Sequence, residues 1–201
     1  DPKNPSGVAL ITVDSDAENC IVVASGANAE LSPADLLKAQ EVIQKSAIVL
    51  MQLEIPIDTV EYVAKTAAGS NIKVLLNPAP ARELSEELLR NISIITPNKT
   101  EAEMISGIQI KDMETAALAA KAIKDKGVET VILTLGNKGA LVLHEGVSTI
   151  IAALKVDAVD TTAAGDVFNG ALAVALSEGK SVTDATSFAC KAAAISVTRM
   201  G

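Results

Sequence analysis

A chain of 201 residues has room for one α/β domain with a substantial core and is short for two that fold independently. Its net charge of −8 and pI near 4.7 argue against the clustered Lys and Arg surface that binds nucleic-acid phosphates. No apolar run approaches a membrane span, the opening Asp1-Pro2-Lys3-Asn4-Pro5 has no signal-peptide pattern, and Cys20 and Cys190 suggest neither a disulfide framework nor a metal cluster. A soluble protein of a reducing cytoplasm is expected, with no nucleic-acid or membrane partner. Aromatic residues make up 1% of the chain, so Ala, Val, Ile and Leu must build the core.

Gly7–Val13 and Cys20–Ala24 are β-rich runs joined by the polar stretch from Asp14 to Asn19, which predicts a hairpin. Ser32 as N-cap, Pro33 at the first helical position and Asp35 in the first turn predict a helix running to Ser46. Short apolar strands then alternate with helices: strand 47–53, helix 58–68, strand 73–76, helix 85–90, strand 93–96, helix 113–126 and strand 129–135. This alternation is the signature of a parallel sheet. Gly136-Asn137-Lys138-Gly139 and Glu145-Gly146 turn the chain through strands 140–144 and 147–152, so antiparallel strands are expected at one edge. Two Ala-rich helices, 165–178 and 183–197, close the chain. The loop from Asn77 to Ala81 follows a strand's carboxyl end, where open α/β sheets bind ligands.

The chain has no G-x-x-x-x-G-K-[ST] loop, no G-x-G-x-x-G fingerprint and no H-R-D catalytic loop. Its single histidine, His144, makes a His-based zinc site improbable, and any Ser-His-Asp triad would have to be built around it. The informative stretch runs from Asp160 through Thr161-Thr162-Ala163-Ala164-Gly165-Asp166 to Gly170. Small residues there lead straight into a predicted helix, leaving backbone N–H groups open to phosphate oxygens at the positive end of a helix dipole. Asp166 in the first turn fits a base that takes a hydroxyl proton; equally, it fits a carboxylate that only complements the dipole, with Thr161 or Thr162 as cap.

The run closely resembles D-T-x-[GA]-A-G-D-x-F-x-G, the signature near the C-terminus of the ribokinase-like (PfkB) carbohydrate kinase family. Three further stretches are similar to the family in order and spacing. Thr96-Pro97-Asn98-Lys99-Thr100-Glu101 resembles its N-x-x-E motif, in which Asn98 and Glu101 would organise Mg²⁺ and phosphates; the same pair also reads as an Asn cap with Glu at N3. Thr134-Leu135-Gly136-Asn137-Lys138-Gly139 resembles the nucleotide-side turn, with Thr134 near the phosphates and Gly136 and Gly139 beside the nucleotide, although such a turn needs no function. Glu54, at the end of Gln52-Leu53-Glu54-Ile55-Pro56, is similar to a sugar-side residue, or is a solvated strand end.

The resemblance covers residues 1–201 and implies a Rossmann-like three-layer α/β/α fold, the core over 31–201 and part of a β lid over 1–30. It implies ATP-dependent phosphorylation of D-ribose, with Asp166 as base and the backbone of Ala163, Ala164, Gly165 and Asp166 as anion hole. Another sugar or nucleoside as acceptor, or a non-catalytic nucleotide-binding fragment, are the alternatives. The resemblance further implies K⁺ held by Asp160, the carbonyl of Thr162 and Gly201, Cys190 near the adenine, and a homodimer through the lid. The family's opening strand and Gly-Gly loop find no match here, and the chain has no initiator Met. A chain clipped at both ends is therefore expected, with exposed apolar surface and unpaired strand edges.

Overall fold

In the sheet at the centre of the molecule, successive residues point to opposite faces, and this alternation decides what each strand buries. The structure, a computed structural model, describes residues 1–13 and 19–200. Most of the expected turn after Val13 (residues 14–18) and the proposed cation ligand Gly201 lie outside the described residues. Strands β1 (Val8–Val13) and β2 (Asn19–Ala24) pair antiparallel as a separate two-stranded sheet, as expected of the hairpin. Val8, Leu10, Val22 and Val23 on this hairpin are all more than half exposed.

The main sheet has six strands in chain order: β3 (Ile48–Met51), β4 (Lys73–Leu76), β5 (Ile94–Ile95), β6 (Thr130–Thr134), β7 (Ala140–His144) and β8 (Val147–Ile151). The first four run parallel, while β7 and β8 are antiparallel additions at one edge, as the two turns predicted. Between the strands lie α3 (Ile57–Gly69), α4 (Glu86–Arg90), α5 (Lys99–Ser106) and α6 (Met113–Asp125). Helices α7 (Ala164–Ser177) and α8 (Val182–Ser196) follow the last strand.

Three layers result. Val74, Leu76, Ile95, Val131, Leu133, Leu141 and Leu143 project into one apolar cluster with Val60, Ala64 and Val63 of α3 and Ala116, Ala120 and Ile123 of α6. Leu75, Ile94, Ile132, Ala140 and Val142 project into the other, with Phe168 and Leu172 of α7 and Ala185 and Ala189 of α8. The alanines let these helices lie close to the sheet, as a core with so few aromatic rings requires.

The single helix expected from Ser32 to Ser46 is instead two short helices, α1 (Pro33–Leu36) and α2 (Gln40–Lys45), separated by a 3₁₀ turn at Leu37–Ala39. At its start Asp35 Oδ2 accepts from the Ser32 N–H at 3.0 Å and from Ser32 Oγ at 2.6 Å, while the Asp35 N–H bonds the Ser32 carbonyl at 3.1 Å. None of the residues in the run is fully buried; Leu36 and Ile43, one on each short helix, are half-buried against the core. Strand β5 is shorter than expected, but its pairing extends to Ser93 and Thr96, whose N–H groups donate to Val74 O and Leu76 O, each at 3.0 Å.

Candidate active site

Several helices here begin under a side-chain cap, although α3 starts after Pro56 without one. Ser85, Asn98, Asp112 and Ser181 each accept a hydrogen bond from the backbone N–H three residues on. The start of α7 differs. Its N-cap is Ala163, which has no side chain able to cap and sits in the left-handed region at φ 58°, ψ 11°. The Ala164 N–H makes a long bond to Thr161 O at 3.3 Å, and Thr162 N–H bonds Asp160 Oδ1 at 2.9 Å. Among the described residues the N–H groups of Ala163, Gly165 and Asp166 have no acceptor. Neither Thr161 nor Thr162 caps the helix, so of the two sequence readings the bare helix start is the one observed. Gly165 has no positive φ, and a Cβ there would meet no atom within 4 Å outside its own helix backbone and chain neighbours, so packing within the chain does not require glycine.

Asp166 is exposed and points away from the apolar interior. Its Oδ1 accepts a 2.6 Å hydrogen bond from Nε2 of Gln52, at the carboxyl end of β3. The two residues, with Leu50, Met51, Asn77 and Asn169, line a cleft of about 250 Å³ at the carboxyl ends of the parallel strands. Beneath it lies a buried polar network that the sequence reading did not find. Thr96, after β5, donates from Oγ1 to Asn169 Oδ1 at 2.6 Å, and Asn169 Nδ2 donates to the Gly165 carbonyl at 2.8 Å. Asn77 Nδ2 reaches the Thr96 carbonyl at 3.4 Å. Thr96 and Asn169 are 1% and 4% exposed, and no buried side-chain polar atom among the described residues lacks a partner.

At the start of α5 the alternative weighed for the N-x-x-E pair, a helix cap, is fully formed. Asn98 Oδ1 accepts from Glu101 N–H at 2.9 Å, while Glu101 Oε2 accepts from Asn98 N–H and Oε1 from Asn98 Nδ2, both at 2.8 Å. Burial pushes the Glu101 carboxyl up from its ordinary value of 4.5, partly opposed by the hydrogen bond from the Asn98 backbone. Thr134 is joined to this loop: its N–H donates to Pro97 O at 2.9 Å and its hydroxyl faces the same oxygen at 3.4 Å.

The remaining expected residues scatter. Gly136 is exposed at φ 56° with open space beside its Cα, whereas a side chain at Gly139 would collide with the backbone of Ile151 and Ala153, which gives that glycine a packing reason. Cys190 is 8% exposed within the apolar cluster under α8, and burial pushes its thiol up from 9.0. Glu54 is exposed, and no described hydrogen bond or ion pair joins it to Asp166; the residue that reaches Asp166 is Gln52, directly after β3. Gln52, Thr96 and Asn169 all stand inside motifs legible in the sequence, but their partners are 114 and 73 residues away, so local spacing gave no signal.

The whole chain, residues 1–201, matches the family described as pfkB family carbohydrate kinase. It is 50% identical over 196 residues to the ribokinase of Haemophilus influenzae, covering 98% of this chain and 64% of that protein. It is 37% identical over 201 residues to the deoxyribokinase of Salmonella typhi, covering 100% of this chain and 66% of that one. The solved ribokinase of Arabidopsis thaliana, complexed with ribose and ATP, superposes with a TM-score of 0.86 at 33% identity, over 99% of this chain and 65% of the other. The chain thus spans about two thirds of the length of these relatives. Since the family match runs from end to end and the relatives share up to half their aligned residues with it, the chain belongs to the pfkB family of carbohydrate kinases.

Proposed function

We propose that this protein transfers the γ-phosphate of ATP to the primary hydroxyl of D-ribose, giving D-ribose 5-phosphate and ADP. The observation that carries the reading is the start of α7, where uncapped N–H groups stand beside an exposed carboxylate at the mouth of a cleft. Asp166 orients the sugar hydroxyl and takes its proton as the new O–P bond forms and the bond from phosphorus to the bridging oxygen breaks. The amides of Ala163, Gly165 and Asp166, with Ala164 as a weaker member, stabilise the charge on the phosphoryl oxygens and on the departing ADP. Gln52 holds one carboxylate oxygen of Asp166, leaving the other for the alcohol. Glu54 contacts the sugar, Thr134, Gly136 and Gly139 border the nucleotide, and Cys190 packs beneath the adenine.

Asn98 is exposed and Glu101 is buried behind it with both carboxylate oxygens engaged, so this pair fits a magnesium ion contacted through water. Bound there, magnesium supplies charge neutralisation to the phosphates. The loop of Asp160 and Thr162 offers oxygen donors, the chemistry that a hard cation such as potassium accepts, and Gly201 would complete that set. The exposed apolar residues of the β1–β2 hairpin suit a lid that closes over the sugar and a contact between two copies.

The deoxyribokinase relative favours 2-deoxy-D-ribose as a second acceptor. Sugar-dependent ADP release, measured with D-ribose and 2-deoxy-D-ribose side by side, tests the assignment. Higher kcat/KM for D-ribose is expected; preference for the deoxy sugar transfers the assignment to that acceptor, and no turnover with any pentose sinks the kinase reading.

A further inference from the structure

We infer that Thr96 and Asn169 are positioning residues for the amides at the start of α7, an assignment that rests on the kinase reading above. A peptide unit is planar and trans, so the carbonyl of Gly165 and the N–H of Asp166 are rigidly opposed across one bond. Fixing the first aims the second. Asn169 Nδ2 fixes that carbonyl at 2.8 Å, and Thr96 Oγ1 fixes Asn169 from the other side at 2.6 Å. Thr96 is itself anchored to the sheet through its N–H on Leu76 O at 3.0 Å. The relay therefore transmits the position of the central strands to the uncapped donors through two side chains that are each at least nine-tenths buried. It runs from the residue that precedes Pro97 and Asn98, so the loop proposed to organise magnesium and the amides proposed to grip phosphate share one support.

A buried hydroxyl and amide in an otherwise Ala, Val, Ile and Leu interior require partners, and an apolar pair of the same volume would pack as well without them. Their role beyond packing lies in geometry, because small displacements of groups that contact a transition state lower the rate far more than they lower binding.

The test compares the parent protein with Thr96→Val, which keeps shape and removes the donor, and Thr96→Ser, which keeps the donor. Steady-state kinetics are read together with Tm and with the amide resonances of Gly165 and Asp166 during titration with ATP in the absence of sugar. Thr96→Val is expected to lower kcat about 10- to 100-fold with KM little changed, and to diminish the ATP-induced shift of the Gly165 and Asp166 resonances. Thr96→Ser restores both. A valine variant with lowered Tm but unaltered kcat and amide response overturns the inference, leaving the hydroxyl as a core contact only. If the parent phosphorylates no pentose but its amide response to ATP depends on the Thr96 hydroxyl, the kinase reading fails and the positioning role stands. A parent whose Gly165 and Asp166 amides ignore ATP overturns the positioning role whatever its turnover. Should Thr96→Val not fold, Thr96→Cys, close in volume with only a weak S–H donor, is read by the same outcomes.

Discussion

Two helices begin near the carboxyl ends of the parallel strands and resolve their unpaired N–H groups in opposite ways. Helix α5 is closed by its own side chains: Asn98 and Glu101 exchange three hydrogen bonds, and little of the terminus is left for a ligand to satisfy. Helix α7 opens with Ala-Ala-Gly, no side-chain cap and a left-handed alanine, and the N–H groups of Ala163, Gly165 and Asp166 have no acceptor among the described residues. A helix start without a cap forgoes roughly 1 kcal/mol of stabilisation. The first arrangement spends its donors on stabilising the fold, while the second leaves donors open for the anion that the proposed function places there.

Exchanging the carboxylate at the open end gives the largest expected effect. Asp166→Asn keeps size and a hydrogen-bonding partner for Gln52 but removes the proton acceptor, so kcat should fall about 10²- to 10⁴-fold with little change in the KM for ATP. Steady-state assays at saturating ribose check this, and retained turnover would remove Asp166 from the role of base. A smaller effect, of opposite sign on folding and activity, is expected at Gly165. Gly165→Ala meets no steric obstacle within 4 Å outside its helix and raises helix propensity, so the protein should gain about 0.5–1 kcal/mol in denaturant titrations. Its added methyl obstructs the approach of phosphate, and kcat/KM should drop about 10- to 100-fold. A variant that is more stable and equally active would mean that the open end binds nothing.

The smallest effect belongs to the closed end. The Glu101 carboxyl titrates above its ordinary 4.5 because burial disfavours its charge, so in that window the folded state holds a proton that the unfolded chain has lost. Its contribution therefore favours folding at low pH and is lost as pH rises from 4.5 through the raised value. Glu101→Gln removes this titration, and the difference between the Tm-versus-pH curves of parent and variant should slope across that interval and level off on either side. Parallel curves would show that the cap is indifferent to ionisation.

Much of the architecture was legible because it is local. Strand 73–76 and strand 140–144 appear with the expected ends, and the boxes at Ser32 and Asn98 follow from residues whose chemistry selects those positions. The break at Leu37–Ala39 was not legible, since no Pro or Gly between Ala34 and Ser46 marks it. At the candidate site the uncapped N–H groups of Ala163, Gly165 and Asp166 were readable from a run of small residues, and the closed box of Asn98 and Glu101 was readable as one of two alternatives. Gln52 was overlooked beside Glu54 because a carboxylate attracts attention at a strand end, while the value of an amide depends on what the fold brings opposite it. Thr96 and Asn169 lay within quoted motifs but could be recognised only once β5 and α7 were in contact.

The left-handed Ala163 has a consequence for how a ligand is received. An L-residue with a Cβ in that conformation costs about 1–2 kcal/mol, and here cooperative folding of the surrounding helix and sheet bears that cost before any ligand arrives. On the proposed function, an anion arriving there finds this backbone conformation already formed and loses little affinity to ordering it.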